Sequence, residues 1–209
     1  ALAGDLRVLI SLSPGSRLEG MTRGEFARVD RNGKPLPKAG IDGLHAPVAT
    51  FCENVGESAG ALYGRYPAFA GALIHTEVRD SAAPSFGPVD REAYRRVTGQ
   101  DIPPGVTSKS GVSWKSIAGF PADRVIPDDA PGYRYLQWYG REGDGWPGLN
   151  TATARGLKRG APDRADLWTF HDPAVRVASV FGSGGQVDVL SQWTYSYPEP
   201  IRIGLPTAE

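Results

Sequence analysis

The sequence lacks several features that would place a protein in a class at once. Its 209 residues contain one cysteine, Cys52, which excludes an internal disulfide and leaves the redox compartment open. Acidic and basic residues number 23 each and form no long runs, which argues against a nucleic-acid partner. No apolar run is long enough to cross a bilayer, so no membrane span is predicted. None of these properties indicates an oligomeric state.

Common catalytic signatures are also missing. There is no G-x-S-x-G motif, so a serine hydrolase of the α/β-hydrolase type is unsupported. The sequence contains no phosphate-binding loop and no H-E-x-x-H motif. We therefore predict no cofactor.

What is present is an alternation of strand and helix patterns. A helix with an apolar stripe is predicted over Thr50–Tyr66, where Thr50 and Glu53 have the spacing of a capping box. The alternation favours an α/β protein in which neighbouring strands are parallel and this helix packs outside them. Apolar runs predict these strands at Leu6–Leu12, Gly71–Glu77, Leu167–His171 and Val187–Trp193.

The predicted fold class is an α/β (β/α)8 barrel of the TIM type, incomplete or excerpted. About five strands can be counted, whereas a complete barrel has eight in ~250 residues. We expect a single domain over residues 1–209 that belongs to a longer chain, because both ends look cut. The alternative is an open, doubly wound α/β sheet, although no G-x-G-x-x-G follows a strand.

Smaller elements are predicted between the strands. Asn32-Gly33 indicates a tight hairpin, and a short strand is expected to end at His45. A helix is predicted to end at Gly99, and a broken helical region covers Tyr133–Arg159. The 27 glycines and 18 prolines are spread along the chain, which indicates many loops rather than a disordered tail.

The first catalytic candidate is Glu77, in a stretch that turns from an apolar run into polar residues. Functional groups collect at the carboxyl ends of strands in parallel α/β folds. His75, Glu77 and Arg79 alternate, so in a strand they would share a face. A carboxyl at such a place, tuned by burial and by a nearby arginine, suits a general acid or base. The alternative is an ion pair between Glu77 and Arg79 that caps the strand.

Asp172 is the second catalytic candidate. It belongs to an HDP sequence that ends a predicted strand, and an aspartate before proline is held extended. A turn-forming aspartate is the alternative. All three histidines of the chain, His45, His75 and His171, fall at predicted strand ends.

Aromatic residues near the end of the chain are candidates for ligand binding. Trp193, Tyr195 and Tyr197 share one face of an extended segment, SQWTYSYPEP. A row of rings suits stacking on a sugar face, and it equally suits packing under a loop.

The segments ALYGRYPAFAGALIHTEVRD and DLWTFHDPAVR…VDVLSQWTYSYPEP resemble the central part of a glycoside-hydrolase-like (β/α)8 barrel, over roughly Ala61–Pro200. The resemblance implies hydrolysis of O-glycosidic bonds in a poly- or oligosaccharide and an extracellular or periplasmic location. It implies that Glu77 is the acid/base, with Asp172 nearest to the place of its partner. Thr76-Glu77 stands where many such barrels have Asn-Glu. Substrate contacts are expected from His75, Arg79, His171, Trp193 and Tyr195.

Two other functions stay open from the sequence. Imidazole and carboxylate groups suit Zn²⁺ or a similar ion, so a metal-dependent hydrolase could use the histidines together with Asp172. A non-catalytic barrel that binds carbohydrate is the other alternative. The leading hypothesis assigns no metal ligand.

Overall fold

The computed structural model describes residues 4–14, 25–36, 41–75, 83–106, 125, 127–143, 145–172 and 188–190. Within these ranges the strands are β1 (Val8–Leu12), β2 (Phe69–His75), β3 (Trp168–Asp172) and β4 (Val189–Leu190). The helices are α1 (Ala46–Tyr63), α2 (Pro88–Thr98), α3 (Pro131–Trp138) and α4 (Trp146–Gly160), with a π-helical turn at Tyr139–Gly143. No helix in these ranges is long and apolar enough to cross a membrane.

The four strands form one parallel sheet in the order β1-β2-β3-β4. This confirms the α/β class and the four parallel strands predicted from the apolar runs. β2 begins two residues earlier than predicted, at Phe69, and β4 covers only the centre of the predicted Val187–Trp193 strand. Asp188 precedes the observed strand, and residues 187 and 191–193 lie outside the described part of the chain.

The predicted (β/α)8 barrel is wrong for the part of the chain that the structure describes. Four strands are present there rather than eight, and β1 and β4 are the two edges of an open sheet. Apolar strands with polar ends indicate a parallel sheet, but they carry no information on whether its edges meet. The open sheet matches the alternative prediction, although its strand order runs in sequence without the reversal of a doubly wound sheet.

The start of α1 also differs from the prediction. The helix begins at Ala46, four residues before Thr50, and His45 is its N-cap residue. The expected strand ending at His45 is therefore wrong; only an isolated antiparallel bridge joins Ala27 to Ile41. Pro47 fits the first turn because a proline there sacrifices no helical hydrogen bond.

The predicted capping box of α1 is absent, because Glu53 lies in the second turn of the helix. Its carboxylate instead pairs across helices with Arg155 at 2.6 Å and Arg159 at 2.5 Å. Both arginines belong to α4, so these ion pairs join the exposed rims of the two helices.

Other local predictions are confirmed. The chain turns at Gly33 and an antiparallel bridge joins Val29 to Pro35. The Asp30 carboxylate supports this hairpin by accepting the backbone N–H groups of Asn32 and Lys34 at 2.8 and 2.9 Å. α2 ends at Gly99, which has a left-handed backbone (φ 72°), and the broken helical region corresponds to α3, the π-helical turn and α4.

α1 and α4 run side by side in the same direction with their backbones in contact. A Cβ atom at Gly56 or Gly60 of α1 would overlap the carbonyl oxygens of Thr153 and Leu157. In return, a Cβ at Gly156 or Gly160 of α4 would overlap the carbonyl oxygens of Glu53 and Glu57. Each helix thus carries two glycines four residues apart, which share one face.

This helix pair covers one face of the sheet. The carboxyl-terminal halves of α1 and α4 pack on the beginnings of β2 and β3. Both helices therefore run antiparallel to the strands. The amino ends of α1 and α4 therefore lie at the carboxyl edge of the sheet, meaning the side at which the parallel strands end. The sheet, α1 and α4 together are called the helix–sheet layer; its buried cluster is Ala59, Phe69, Ala72, Leu157, Ala161 and Leu167.

The remaining described elements form an insert lobe, defined as residues 25–36, 83–106 and 127–143, which follow β1 and β2 along the chain. Its core is aromatic: the Tyr94 ring lies 5.1 Å from that of Trp138 and 5.7 Å from that of Tyr135. Edge-on and tilted ring pairs of this kind stabilise a core beyond their buried area. Trp138 is therefore a core residue. The cluster consists of Phe86, Ala93, Tyr94, Ile102, Val106, Tyr135, Trp138 and Tyr139.

Candidate functional site

The carboxyl edge of the sheet brings together the backbones of the predicted strand-end residues. His75, the last residue of β2, is paired with Asp172, the last residue of β3, and Ile74 is paired with His171. Parallel strands end on the same side, so any groups that follow them collect at one place. The backbone thus gives Asp172 and the segment that leads to Glu77 a common location.

The predicted side chains themselves lie outside what the structure describes. Glu77, Arg79, Trp193 and Tyr195 fall in undescribed segments. For His75, His171 and Asp172 only the backbone is described. Their assigned roles therefore stay predictions.

His45, by contrast, is placed with its side chain. Its Nε2 atom lies 3.9 Å from the Asp42 carboxylate, and its ring lies 5.2 Å from that of Phe26. As the N-cap residue of α1 it stands at the carboxyl-edge end of that helix. Among the described residues, no group of three or more histidine, cysteine, aspartate or glutamate side chains could hold a metal ion.

A buried ionic cluster connects the insert lobe to the start of α1. It contains Arg28, Asp42, Ser85 and Asp90, each no more than 3% exposed. Arg28 donates from Nε to the carbonyl of Ile41 and from Nη1 to the carbonyl of Ala83, both at 3.1 Å. A fully buried guanidinium is costly unless it has partners of this kind.

The two carboxyl groups of the cluster also accept hydrogen bonds from nearby backbone N–H groups. Asp42 accepts the N–H of Leu44 at 3.1 Å. Asp90 accepts the N–H of Gly87 at 3.0 Å and so caps the start of α2. Ser85 accepts the N–H of Val29 at 3.2 Å, which ties the hairpin to the segment before α2.

Asp90 is the member of the cluster whose pKa is shifted. Burial, and then the neighbouring Asp42 carboxylate, raise the pKa of Asp90 to about 7, while Ser85 and Arg28 oppose the shift. The cluster has two carboxyl groups and only one guanidinium, and all three are buried. With both carboxyl groups ionised it would carry an uncompensated negative charge away from water, which raises the pKa of Asp90. Protonation of Asp90 removes the excess negative charge. Since both groups are buried, the proton stabilises the lobe rather than reaching a substrate.

Asp188 occupies the position just before β4. It accepts hydrogen bonds from the backbone N–H and hydroxyl of Thr169 at 2.8 and 2.9 Å, and Lys158 donates to it at 2.6 Å. Partial burial would raise the pKa of this carboxyl, but the bonds from Lys158 and Thr169 hold it below its usual value. Asp188 therefore joins β3 to α4.

Cys52 is fully buried between α1 and α4, as the sequence predicts for a small apolar side chain. Burial raises the pKa of its thiol to about 12, against a weaker opposing hydrogen bond with Thr153. A thiol held protonated in this way is a poor nucleophile.

Three buried polar side chains in the described part of the chain have an atom without a hydrogen-bond partner: the Tyr94 hydroxyl, the Trp138 indole N–H and the Asn150 amide nitrogen. The first two belong to the insert lobe. Asn150 lies near the start of α4, at the carboxyl-edge end of the helix–sheet layer.

Sequence reasoning misses the buried cluster and Asn150 altogether. Arg28, Asp42 and Asp90 stand in polar segments that look like exposed loops or a helix start. The one visible signal is the spacing of Gly87 and Asp90, which suits a carboxylate that caps a helix start from its third position. Nothing in the sequence reveals that the hairpin arginine reaches this cap.

Together these elements define an α/β protein with a parallel sheet, two covering helices and an insert lobe. No protein-family model and no curated protein matches the chain. Among solved structures, the crystal structure of a beta-galactosidase from the psychrophilic Marinomonas ef1 is similar, with a TM-score of 0.54 and 12% sequence identity. The match covers 93% of this chain and 31% of that one. The likeness is one of fold, and it supports the resemblance to glycoside hydrolases at that level.

Proposed function

We propose that the protein is a glycoside hydrolase, or part of one, that cleaves an O-glycosidic bond in a poly- or oligosaccharide. The observation that carries the proposal is the pairing of His75 with Asp172 at the carboxyl edge. Glu77 follows His75 by two residues, so we expect the carboxyl groups of Glu77 and Asp172 to reach one site. Paired carboxyls are the usual means of glycoside hydrolysis.

In this mechanism Glu77 is the general acid, which protonates the departing glycosidic oxygen. Asp172 is its partner and either attacks the sugar directly or activates a water molecule. His75, Arg79 and His171 would bind sugar hydroxyls. Trp193 and Tyr195 would stack against sugar rings, whose C–H faces are apolar.

The fold likeness to a beta-galactosidase supports the proposal from outside the chain. The similar structure is that of a carbohydrate-cleaving enzyme. This chain corresponds to only 31% of that protein's length. An activity of the whole enzyme therefore belongs to the proposal, and the printed name makes a β-galactoside the first substrate to test.

The test is hydrolysis of 4-nitrophenyl glycosides, β-galactoside first, by the protein expressed at its natural length. Glu77→Gln and Asp172→Asn should each lower kcat/KM by about 10²–10⁴-fold, the usual contribution of a positioned acid or base. Glu142→Gln and Asp163→Asn alter exposed carboxyls in the same chain and should leave it unchanged. Full activity in both Glu77→Gln and Asp172→Asn, or no hydrolysis of any glycoside by the unaltered protein, would remove the proposal.

A further inference from the structure

We propose that the buried ionic cluster is a pH-sensitive latch between the insert lobe and the start of α1. The latch is closed while Asp90 is protonated, and it is weakened when Asp90 ionises. An effect of the latch on hydrolysis would rest on the proposed function, whereas the latch itself does not.

The first ground is that the cluster lies where separate segments of the chain meet. From the hairpin, Arg28 donates to the carbonyl groups of Ile41 and Ala83, each at 3.1 Å. The backbone N–H of Asp42 donates in return to the Phe26 carbonyl at 2.7 Å. These bonds attach the hairpin to the chain that leads into α1 and to the chain that leads into α2.

The start of α2 is attached to the same place. The N–H of Phe86 donates to the Val29 carbonyl at 3.0 Å, and the N–H of Val29 donates to the Ser85 hydroxyl at 3.2 Å. Asp90 accepts the N–H of Gly87 at 3.0 Å. The hairpin, the start of α1 and the start of α2 therefore share one buried polar centre, and loosening it affects the bonds of all three.

The second ground is the balance of charge within that centre. Arg28 is 0% exposed, and Asp42 and Asp90 are 2% exposed each. An ionised carboxyl away from water is costly unless a partner compensates it, and here one guanidinium serves two carboxyl groups. Ionisation of both carboxyl groups therefore favours a state in which the cluster opens to water.

Two further titratable groups face the cluster. The Tyr135 hydroxyl belongs to α3, and burial, followed by the neighbouring Tyr139 and Asp90, raises its pKa well above the ordinary value, so it stays uncharged near neutral pH. His45 lies beyond Asp42, with its Nε2 atom 3.9 Å from that carboxylate. Histidines as a class change charge near neutral pH, so the experiment has to separate His45 from Asp90.

The direction of the pH effect follows from the state of Asp90. Burial, and then the Asp42 carboxylate, raise its pKa to about 7 in the closed latch. In an open latch the carboxyl meets water, and its pKa returns toward the ordinary value of about 3.9. The stabilisation of the closed form is therefore fully present below the ordinary pKa and is lost as pH rises through about 7.

The test is hydrogen exchange of single backbone amides, followed by nuclear magnetic resonance and corrected for the intrinsic exchange rate at each pH. Between pH 5 and pH 8 the protection of the latch amides should fall by about 10–100-fold. Central amides of α1 and α4 should lose far less, because they belong to the helix–sheet layer. An equal loss there would indicate global unfolding and would overturn the latch. The latch amides are the N–H groups of Val29, Asp42, Leu44, Phe86 and Gly87.

Two variants remove the excess carboxylate from either side. Asp90→Asn keeps the shape and the acceptor for Gly87 but cannot ionise, so the fall in protection should shrink to that of α1 and α4. Asp42→Asn should shrink it as well, because one carboxyl then faces one guanidinium. The matched control is Glu92→Gln, which alters an exposed carboxyl of α2 that pairs with Arg95 at 3.5 Å and should leave the fall unchanged.

His45→Gln separates the remaining titratable neighbour and should keep the fall in protection. A fall that disappears in His45→Gln, or that persists undiminished in both aspartate variants, would overturn the proposal, as would constant protection in the unaltered protein. The measurement needs no glycoside. A working latch without hydrolysis would defeat only the proposed function, whereas hydrolysis with pH-independent protection would defeat only the latch.

Discussion

The helix–sheet layer and the insert lobe are held together by opposite means. In the layer, α1 and α4 touch through glycines, with so little space that a single Cβ would overlap a carbonyl oxygen. The lobe has a core of large aromatic rings, and its buried Arg28 and Asp90 form an ionic cluster with Asp42. The layer is therefore sensitive to added atoms, and the lobe is sensitive to lost charges.

This difference matters for the site. The layer supports the strand ends at which the carboxyl groups are proposed to act, because α1 and α4 pack in one buried cluster with the beginnings of β2 and β3. The lobe follows β1 and β2 along the chain, and its buried cluster reaches the start of α1 through Asp42. The helix–sheet layer thus depends on glycines, whereas the insert lobe depends on aromatic and buried charged residues.

The largest effect is expected from removing the buried cation of the lobe. Arg28→Met leaves Asp42 and Asp90 facing each other without a guanidinium, and breaking a buried ionic group in this way costs about 3–5 kcal/mol. Chemical denaturation should show a loss of that size. Arg95→Met, which changes a half-exposed arginine of α2, should have almost no effect. Equal stabilities of the two variants would refute the sensitivity of the lobe to charge.

A smaller loss is expected from adding one methyl group to the layer. Gly156→Ala forces apart backbones that are in contact, and overpacking of this kind costs about 1–3 kcal/mol. Gly148→Ala adds the same group to the same helix at an open position and should stabilise slightly, because alanine favours helix. If both variants gain stability in thermal unfolding, α1 and α4 are not in backbone contact.

The third effect is a dependence of stability on pH rather than a loss of stability at one fixed pH. Asp90 has a pKa of about 7 in the folded protein, above its unfolded value of about 3.9. Its contribution is therefore fully present below the unfolded pKa and is lost as pH rises through the folded one. The melting temperature should fall between pH 4 and pH 8 by more in the unaltered protein than in Asp90→Asn.

The control for this pH dependence is Asp101→Asn, which changes an exposed carboxyl paired with Arg91 at 3.5 Å. It should leave the slope between pH 4 and pH 8 as it is. If the melting temperatures of the unaltered protein and of Asp90→Asn fall by the same amount between pH 4 and pH 8, the pKa of Asp90 is not raised in the folded protein.

The sequence predicts the layer well because its signals are local. Continuous apolar runs indicate buried strands, and the structure has parallel strands at those places. In β1, however, Val8 and Leu9 are exposed. Gly99 ends α2 as expected, since a left-handed residue after a helix favours glycine. Sheet closure escapes such reasoning, because it depends on contacts between edges that lie far apart in the chain.

The site is predicted less completely. Asp172 stands at a strand end as its sequence context indicates, and its pairing with His75 agrees with parallel strands. The ionic cluster was not predictable, because Arg28 lies 62 residues before Asp90 and each stands in a polar segment. The start of α1 was misplaced because Thr50 and Glu53 imitate a cap, while the actual start at His45 has no side-chain cap.

The role of Glu77 can be tested most directly by changing the leaving group of the substrate. A general acid matters for a poor leaving group and hardly at all for one that departs without a proton. Glu77→Gln should therefore lower kcat/KM for lactose by about 10²–10⁴-fold, yet leave kcat/KM for 2,4-dinitrophenyl β-galactoside within about 10-fold of the value for the unaltered protein. Equal losses on both substrates, or no loss on lactose, would contradict the assignment of Glu77 as the acid.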